Sequence, residues 1–411
     1  MSGSVCIIYE NRSFGGMEVH TAGLIETLLA RGHEVELIAN GTNTLEPVLV
    51  RKGLAQRVRI VRSDIGGILD DRRTAAADWR RQLAAIRSDT LIFPKGVFAS
   101  GQLPFLQECR RKFRRVVFIE HLEAPAWRAP QSRRWLGIFP GLGLWRYRER
   151  RYRQACARCA DYIVTVSDGV RRRLIEDWRQ PAAKIVVVRN GVFWQQHRHD
   201  AARRAAFRAR HGIGDEVFVF GMLVRLSVQK AVDVAIRALH LLGNERSLDR
   251  VRLVIAGEGA EEQALRALVR ELGLEAHVLF VGFVSEPAQV LSAYDVILFS
   301  SANEGLPLAL LEGMAGECLP LVTRIGGMPE VVNSPQVGWV VPASDPPALA
   351  AAMRSVLELD DAALARMRAA VLQRIQQDFD LARCHERILE LCALQAPSTT
   401  DSKARPAASQ E

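Results

Sequence analysis

The sequence predicts an α/β protein made of two doubly wound, parallel-sheet domains that face a central cleft. Short runs rich in β-branched residues alternate with helical patterns along the 411 residues, an alternation typical of parallel sheets with crossover helices. A chain of this length exceeds one ordinary hydrophobic core and fits two domains of roughly 150 to 200 residues. Because open sheets bind ligands beyond the carboxyl ends of their strands, we expect the site between the domains.

The first half of the chain contains the apolar runs of one predicted sheet. Its strands are expected at residues 5–9, 35–39, 58–61, 91–93, 116–119, 163–166 and 185–188. Between the first two strands, apolar residues recur at helical spacing over residues 17–31 and predict a helix, which Gly32 is expected to end in left-handed geometry.

The second half repeats the pattern of the first. Its strands are expected at residues 217–224, 253–256, 278–281, 296–299, 321–323 and 339–341. A polar, basic stretch at 197–210 separates the two sets, so the predicted domains are residues 1–195 and 196–375. The tail, residues 396–411, has a composition typical of disorder.

The overall composition narrows the class of protein. Hydrophobic residues make up 48% and charged residues 25% of the chain, as in soluble globular proteins. No run approaches the roughly 18 apolar residues that span a bilayer, and no basic leader precedes the first predicted strand, so we expect neither a membrane span nor secretion. The seven cysteines are scattered and odd in number, which predicts reduced thiols in the cytosol. Cys156 and Cys159 lack a second pair, so we interpret them as ordinary helical thiols rather than metal ligands.

The most informative motif joins two glutamates, Glu304 and Glu312, through a loop and a helix. Pro307 suits the start of this helix, because its missing N–H would be unpaired there. A helix N-terminus offers free N–H groups and a partial positive charge to an anion or a polar sugar. Glu312 follows more than one turn later, where a carboxylate can bind a pair of hydroxyl groups. The motif therefore predicts a nucleotide-sugar site.

Residues 299–330 resemble the E-x7-E signature of retaining glycosyltransferases of family 4, which have the GT-B fold. The resemblance covers most of the chain, because further motifs match in order and spacing: Gly15-Gly16, Arg225, Lys230 and Gly326-Gly327-x-Pro329-Glu330. In this family the last helix crosses back onto the first domain, so we assign residues 376–394 to that crossover.

The resemblance implies roles for individual residues. Glu312 would bind the ribose hydroxyls, Glu304 would face the donor sugar and stabilise an oxocarbenium-like transition state, and His121 would contact that sugar. The expected catalytic residues are Glu304, His121, Arg225 and Lys230. The expected donor-binding residues are Gly15, Gly16, Arg225, Lys230, Gly257, Glu258, Val284, Glu304, Gly305, Leu306, Pro307, Leu308 and Glu312. Lys95 is expected on the acceptor side.

The chemistry of the expected reaction requires charge stabilisation at the leaving diphosphate. Arg225 and Lys230 follow a strand and precede a helix, where both can approach the phosphates. Enzymes with this fold typically need no bound metal, so we expect no metal ion and no cofactor, with the nucleotide diphosphate sugar as co-substrate. The D-x-D spelling at residues 378–380 lies far in sequence from the donor motifs, and we do not interpret it as a metal site.

Three residues depart from the family pattern of glycines. Val224 precedes Arg225 and Ala231 follows Lys230, and both are expected to fit ordinary strand and helix backbone. Glu317 stands where a glycine usually closes the signature helix, and left-handed geometry there would cost about 1 kcal/mol.

The basic residues concentrate in one segment, residues 110–158. It has 14 arginines and lysines against three glutamates, an excess of +11 in a chain whose net charge is +9. Interleaved with them are Trp127, Trp135, Phe139, Trp145, Tyr147 and Tyr152. A face for anionic lipid, a nucleic-acid face and a solvated helix all have this composition. Since many members of the resembled family act on lipid-linked acceptors, we expect an anionic membrane surface and no nucleic acid as partner.

Together these features predict a retaining transferase that moves a hexose-type sugar, by family frequency from a UDP-linked donor, to a glycan or lipid-linked acceptor. The expected role is bacterial cell-surface polysaccharide or lipopolysaccharide synthesis, at the inner face of the cytoplasmic membrane. A soluble-acceptor transferase, a nucleotide-sugar epimerase, and a non-catalytic sensor or scaffold remain alternatives. An NAD-dependent oxidoreductase is disfavoured, because residues 13–18 lack the G-x-G-x-x-G fingerprint.

Overall fold

Two parallel sheets organise the protein. The computed structural model describes residues 3–9, 15–39, 43–62, 76–95, 102–121 and 141–394. The first sheet has the strand order β3-β2-β1-β4-β5-β6-β7. Its strands are β1 Ser4–Tyr9, β2 Glu34–Ala39, β3 Val58–Arg62, β4 Thr90–Lys95, β5 Arg115–Glu120, β6 Tyr162–Thr165 and β7 Ile185–Val187.

The second sheet has six strands in the order β10-β9-β8-β11-β12-β13. They are β8 Phe218–Leu223, β9 Val251–Ala256, β10 Val278–Gly282, β11 Val296–Phe299, β12 Leu319–Thr323 and β13 Trp339–Val341. Every predicted strand is present, with ends that differ by at most two residues. The fold class of two doubly wound parallel sheets is confirmed.

Helices connect the strands of both sheets. In the described part of the first half they are α1 Gly16–Ala30, α2 Leu45–Arg51, α3 Ala76–Ala84, α4 Gln102–Lys112, α5 Gly141–Arg158 and α6 Asp168–Glu176. In the second half they are α7 Ala201–Arg210, α8 Val232–Glu245, α9 Glu262–Glu271, α10 Pro287–Leu291, α11 Leu308–Ala315, α12 Met328–Val331, α13 Pro346–Leu357, α14 Asp361–Asp378 and α15 Leu381–Leu391.

The central strands are apolar because helices cover both faces of each sheet. In β1 every residue from Val5 to Tyr9 is buried, and so is every residue of β11. Burial of one such valine, leucine or isoleucine side chain stabilises the fold by about 1.5–3 kcal/mol. Since both faces are buried, strand alternation does not separate a core side from a solvent side.

A buried ion-pair cluster holds α7 against the second sheet. Asp295, just before β11, accepts hydrogen bonds from Arg204 at 3.0 Å, Arg208 at 3.1 Å and Arg368 at 3.2 Å. It also accepts from the Val219 N–H at 2.9 Å. The cluster joins helices α7 and α14 to strand β8.

The last helix, α15, returns to the first sheet. The Val192 N–H donates to the Phe379 carbonyl at 2.9 Å where the chain crosses. Further along, Arg31 on α1 pairs with Glu386 on α15 at 2.6 Å. The structure thus places residues 381–391 against α1.

Three residues test the predictions about left-handed backbone geometry. Gly32 has a φ of +78° and ends α1 as predicted, and Glu317 has a φ of +64°, so its expected left-handed geometry is confirmed. The expectation for Ala231 was wrong, because its φ of 47° and ψ of 46° are left-handed. The chain reverses there between the turn Val228–Lys230 and α8. A left-handed non-glycine residue costs roughly 1–2 kcal/mol.

Candidate active site

Glu304 and Lys230 form a buried ion pair beyond the carboxyl ends of strands β11 and β8. The Glu304 carboxylate accepts from the Lys230 ammonium at 2.6 Å and from the Ser301 hydroxyl at 2.8 Å. Glu304 is only 3% exposed, so the ammonium compensates a carboxylate that would otherwise be costly to bury. Two predicted site residues that are distant in sequence are therefore in direct contact.

Glu312 lies on α11, on the same element that follows Glu304. The residue is 7% exposed, and burial raises the pKa of its carboxyl group to about 7. Groups that donate hydrogen bonds, such as hydroxyls, would stabilise the ionised form of this carboxyl group. The role of Glu312 at a ribose stays a prediction.

The start of α11 adjoins the first domain. The helix begins at Leu308, one residue later than expected, and Pro307 is its N-cap residue. A Cβ atom on Gly305 would lie 1.9 Å from the His121 carbonyl oxygen, so only glycine fits this close approach. The Leu306 carbonyl accepts from the Asn190 side-chain amide at 2.7 Å. The loop after Glu304 is thus fixed by residues of the opposite sheet.

His121 follows β5 and faces this junction from the first domain. Burial, with a smaller effect of His20, holds the pKa of His121 well below its usual range. The ring is therefore neutral at physiological pH. Its Nε2 atom is buried and has no hydrogen-bond partner in the described part of the chain. The structure brings this predicted sugar contact next to the residue after Glu304.

The glycine pair at the start of α1 is held by a glutamate that the sequence reasoning missed. Glu18 accepts a hydrogen bond from the Gly15 N–H at 2.7 Å. It also accepts from the Tyr9 and Thr44 hydroxyls, each at 2.5 Å. A Cβ atom on Gly16 would lie 3.8 Å from the Leu308 side chain, so α1 and α11 begin close together. The spacing of Gly15 and Glu18, three residues apart as in a capping box, was the available signal.

The remaining donor candidates lie at the carboxyl ends of β8, β9 and β10. A Cβ atom on Gly257, whose φ is +132°, would lie 1.9 Å from the Val224 carbonyl oxygen, so glycine is required. Glu258 is exposed and accepts from the Phe283 N–H at 3.2 Å. Arg225 is exposed and Val284 is half-buried. These residues share with Glu304 the edge of the sheet formed by the carboxyl ends of its strands.

Lys95 does not line an open acceptor surface, contrary to expectation. Its side chain is fully buried, and its ammonium lies 4.0 Å from the Glu120 carboxylate and 4.4 Å from the centre of the Phe118 ring. Burial raises the pKa of Glu120, an effect that Lys95 opposes. The lysine was misplaced because β4 is buried on both faces, so its pattern does not reveal where a side chain points.

A salt bridge between the two halves was not foreseen. The Glu330 carboxylate accepts from the Gly169 N–H at 2.8 Å, in the first turn of α6. It also accepts from the Arg189 side chain at 3.0 Å. The sequence showed Glu330 as part of a matching motif, but a partner on the other sheet leaves no local pattern.

The two motifs whose spacing resembles that of metal ligands, residues 378–380 and the pair Cys156 and Cys159, have other roles in the fold. Asp378 pairs with Arg374, and Asp380 caps α15 by accepting from the Ala382 N–H at 3.0 Å. Cys156 and Cys159 are free thiols, and burial raises the pKa of each. Among the residues that the structure describes, no group of three or more His, Cys, Asp or Glu side chains could hold a metal ion.

The basic segment is only partly described. Residues 122–140 lie outside the described residues, as do the side chains at 141–146. The predicted lipid-facing aromatic residues Trp127, Trp135, Phe139 and Trp145 are among them. On α5, Tyr147 is 58% exposed, whereas Arg153 turns inward onto the Trp178 ring at 3.9 Å. Within the described ranges, no helix is sufficiently long and apolar to cross a membrane.

Comparison with known proteins places this geometry in a class. The crystal structure of HepE from Anabaena in complex with UDP-glucose superposes with a TM-score of 0.74 at 18% identity, covering 95% of this chain and 99% of that chain. Family models match both halves: Glycosyltransferase Family 4 over residues 14–193 and Glycosyl transferases group 1 over residues 203–373. The fold is GT-B. The chain belongs to the family 4 type of GT-B glycosyltransferases.

Two curated relatives show how far the similarity extends. A glycogen synthase from Mycobacterium tuberculosis is 36% identical over 228 residues, and the chain spans 51% of its length. That match covers 54% of this chain. The Salmonella typhimurium protein named "Putative colanic acid biosynthesis glycosyltransferase WcaL" is 27% identical over 411 aligned positions, which cover 91% of this chain and 96% of that protein. The second similarity includes both sheets.

Proposed function

We propose that this glycosyltransferase moves a hexose-type sugar, with retention of anomeric configuration, from a UDP-linked donor to a glycan or lipid-linked acceptor. The observation that carries the proposal is the buried Glu304–Lys230 ion pair, next to Gly305, which packs against His121 of the opposite sheet. Glu312 is buried on the helix that follows this loop. These side chains supply an anionic group for the sugar, a cation for the diphosphate and a carboxyl group for the ribose.

Charge stabilisation of the leaving diphosphate is the central step. As the glycosidic bond breaks, negative charge grows on the diphosphate, and Lys230, Arg225 and the N-terminus of α11 would stabilise it. In the structure Lys230 is paired with Glu304 at 2.6 Å. When the phosphates bind, the Lys230 ammonium would interact with them as well, and its interaction with Glu304 would weaken. The Glu304 carboxylate would then be available to stabilise positive charge on the sugar ring.

Glu312 would bind the ribose through its hydroxyl groups. Its pKa of about 7 reflects burial without enough compensation. Two ribose hydroxyls that donate hydrogen bonds would favour the ionised form and lower this pKa. The nucleotide end of the donor would thus supply the partners that the buried carboxyl group lacks.

The donor and pathway are proposed from the relatives. HepE, whose fold is similar, was solved with UDP-glucose, and the relative from Salmonella is named for colanic acid biosynthesis. These similarities favour a UDP-hexose donor and a role in cell-surface polysaccharide or lipopolysaccharide synthesis. We propose that the enzyme acts without a metal ion or cofactor, with the nucleotide sugar as co-substrate.

The acceptor side would bring the enzyme to the inner face of the cytoplasmic membrane. The excess of +11 between residues 110 and 158 and the exposed Tyr147 on α5 suit anionic lipid headgroups. A peripheral contact of this kind leaves the cleft close to a lipid-linked acceptor.

Transfer and hydrolysis assays with a panel of nucleotide sugars and membrane extract test the proposal. Glu312→Ala and Lys230→Ala are each expected to lose about 100-fold in kcat/KM, as when a transition-state contact is removed. The exposed Glu275→Ala is the matched control and is expected to retain activity. Nuclear magnetic resonance of the product gives the anomeric configuration.

Other outcomes would favour the alternatives. A changed nucleotide sugar released without any acceptor would indicate an epimerase. Transfer only to water-soluble sugars would indicate a soluble-acceptor transferase. Binding of a nucleotide sugar with no turnover in any condition would contradict the proposal and favour a sensor or scaffold.

A further inference from the structure

Three buried histidines from separate elements stack in a row that begins at the site. The rings of His121, after β5, and His20, on α1, meet edge to face with centroids 4.7 Å apart and planes at 74°. His20 meets His385, on α15, in the same manner at 5.7 Å and 87°. The row therefore runs from the sugar-facing end of the cleft to the helix that returns from the second half of the chain.

Filling this space with three histidines costs free energy of folding. His20 Nδ1, His121 Nε2 and His385 Nε2 are buried and have no hydrogen-bond partner among the described residues. Each unsatisfied polar atom costs about 1–3 kcal/mol, whereas an apolar ring of similar shape would cost nothing of this kind. Burial lowers the pKa of His20 to about 4 and that of His385 to about 3, so these rings are neutral. Stability alone does not account for three imidazoles here.

The far end of the row is anchored to α1. The His385 ring bonds through Nδ1 to the Thr27 hydroxyl at 2.7 Å. Gly23 packs against this ring, because an added Cβ atom there would lie 3.4 Å from it, at van der Waals contact. His20 is consequently held between a fixed ring on one side and His121 on the other.

At the near end, two contacts fix the backbone of His121. The His121 N–H donates to the Lys95 carbonyl at 3.2 Å, and its own carbonyl packs against Gly305. Neither contact sets the plane of the imidazole. The edge-to-face contact with His20, whose ring centroid lies 4.7 Å away, is the ring contact that acts on this plane.

We propose that His20 is a positioning residue, which sets the plane of the His121 imidazole so that Nε2 faces the donor sugar. This inference rests on the proposed function, in which His121 contacts that sugar. His20 itself does not touch the substrate. Its role is exerted through ring packing, with His385 as the support behind it.

The test compares His20→Ala, His20→Phe and His33→Ala in the full-length protein. His20→Ala frees the His121 ring and is expected to lower kcat by about 10- to 100-fold, the usual effect of a small misplacement of a reacting group. The affinity for free UDP should stay within twofold, because the proposed nucleotide contacts lie on the second sheet. His20→Phe restores an aromatic edge and should recover kcat to within about threefold of the parent.

His33→Ala is the matched control, because His33 is also a buried histidine of the first half but lies outside the row. It should lose comparable thermal stability and keep kcat. An unchanged kcat in His20→Ala, an equal loss in His33→Ala, or a failure of His20→Phe to recover activity would each overturn the role of His20.

Titration calorimetry with UDP and UDP-glucose separates this inference from the proposed function. Should the parent turn over no donor, the transferase proposal fails by itself. The positioning role then stands only if His20→Ala loses the affinity difference between UDP-glucose and UDP and His20→Phe regains it. No difference between the parent and His20→Ala in this comparison would overturn it.

Discussion

Replacing Glu312 by glutamine should stabilise the ligand-free protein at alkaline pH, although it removes a binding group. The pKa of Glu312 rises from 4.5 to about 7 because the carboxyl group is buried. At about 1.4 kcal/mol per pKa unit, this displacement corresponds to roughly 3 kcal/mol. Glutamine has a similar shape and carries no charge at any pH, so it avoids this penalty.

The sign of the effect follows from proton binding. Below pH 4.5 the carboxyl group is protonated in the folded and the unfolded chain, and it has no influence on stability. As the pH rises from 4.5 towards 7, the folded state binds more protons than the unfolded state, so the free energy of unfolding falls. Above that range the penalty is complete. The advantage of Glu312→Gln over the parent should therefore grow by about 3 kcal/mol between pH 4.5 and pH 8.

Urea unfolding of both proteins without nucleotide, at pH 5 and at pH 8, measures this difference. Other titrating groups are shared by the two proteins and cancel. Exposed Glu275→Gln serves as the control and should show a change within about 0.5 kcal/mol at both pH values. A stability difference between Glu312→Gln and the parent that is equal at pH 5 and pH 8 would refute the reasoning. Addition of UDP is expected to raise the free energy of unfolding of the parent more than that of Glu312→Gln. The reason is that the carboxylate of the parent has one oxygen for each of the two ribose hydroxyls.

Three further predictions concern the rest of the molecule. Asp295→Ala should lower the free energy of unfolding by about 3 kcal/mol in urea titrations, because it leaves a buried guanidinium without its carboxylate; a loss below 1 kcal/mol would contradict the buried cluster. Ala231→Gly should raise this free energy by about 0.5–1 kcal/mol by relieving left-handed strain, whereas Ala235→Gly, in the interior of the same helix, should lower it by about 1 kcal/mol. In flotation assays the protein should bind phosphatidylglycerol vesicles and not phosphatidylcholine vesicles, and Arg148→Glu with Arg151→Glu should weaken this binding about tenfold or more. Equal binding to both vesicles would rule out the electrostatic contact.

The elements of the fold could be predicted because each strand is a short apolar run bounded by polar or glycine-containing turns. The alternation of strands with helices predicted parallel sheets, whereas the order in which the strands pair came from the structure. Glu304, Glu312 and Lys230 could be found because their motifs are local in sequence. The left-handed Ala231 could not, since alanine gives no sign of a chain reversal and only the geometry between the turn and α8 reveals it.

Contacts between distant segments account for the other misses. Glu18 has its partners on β1 and before α2, and Glu330 has its partner groups on the opposite half of the chain. No local pattern records such pairs. The row of His20, His121 and His385 is of the same kind, because three elements supply one ring each.

The position of the site between two sheets explains why so many of its fixed points are interdomain contacts. In the proposed function the second sheet would hold the nucleotide, and the sugar would face His121 across the junction where Gly305 packs against the His121 carbonyl. Even one methyl group on Gly305 would block this close approach. The Glu330 carboxylate spans the same junction and bonds to the first turn of α6. The proposed function therefore gives donor binding and alignment of the sugar to different contacts. On this basis, a variant that separates the halves should lose turnover before it loses nucleotide affinity.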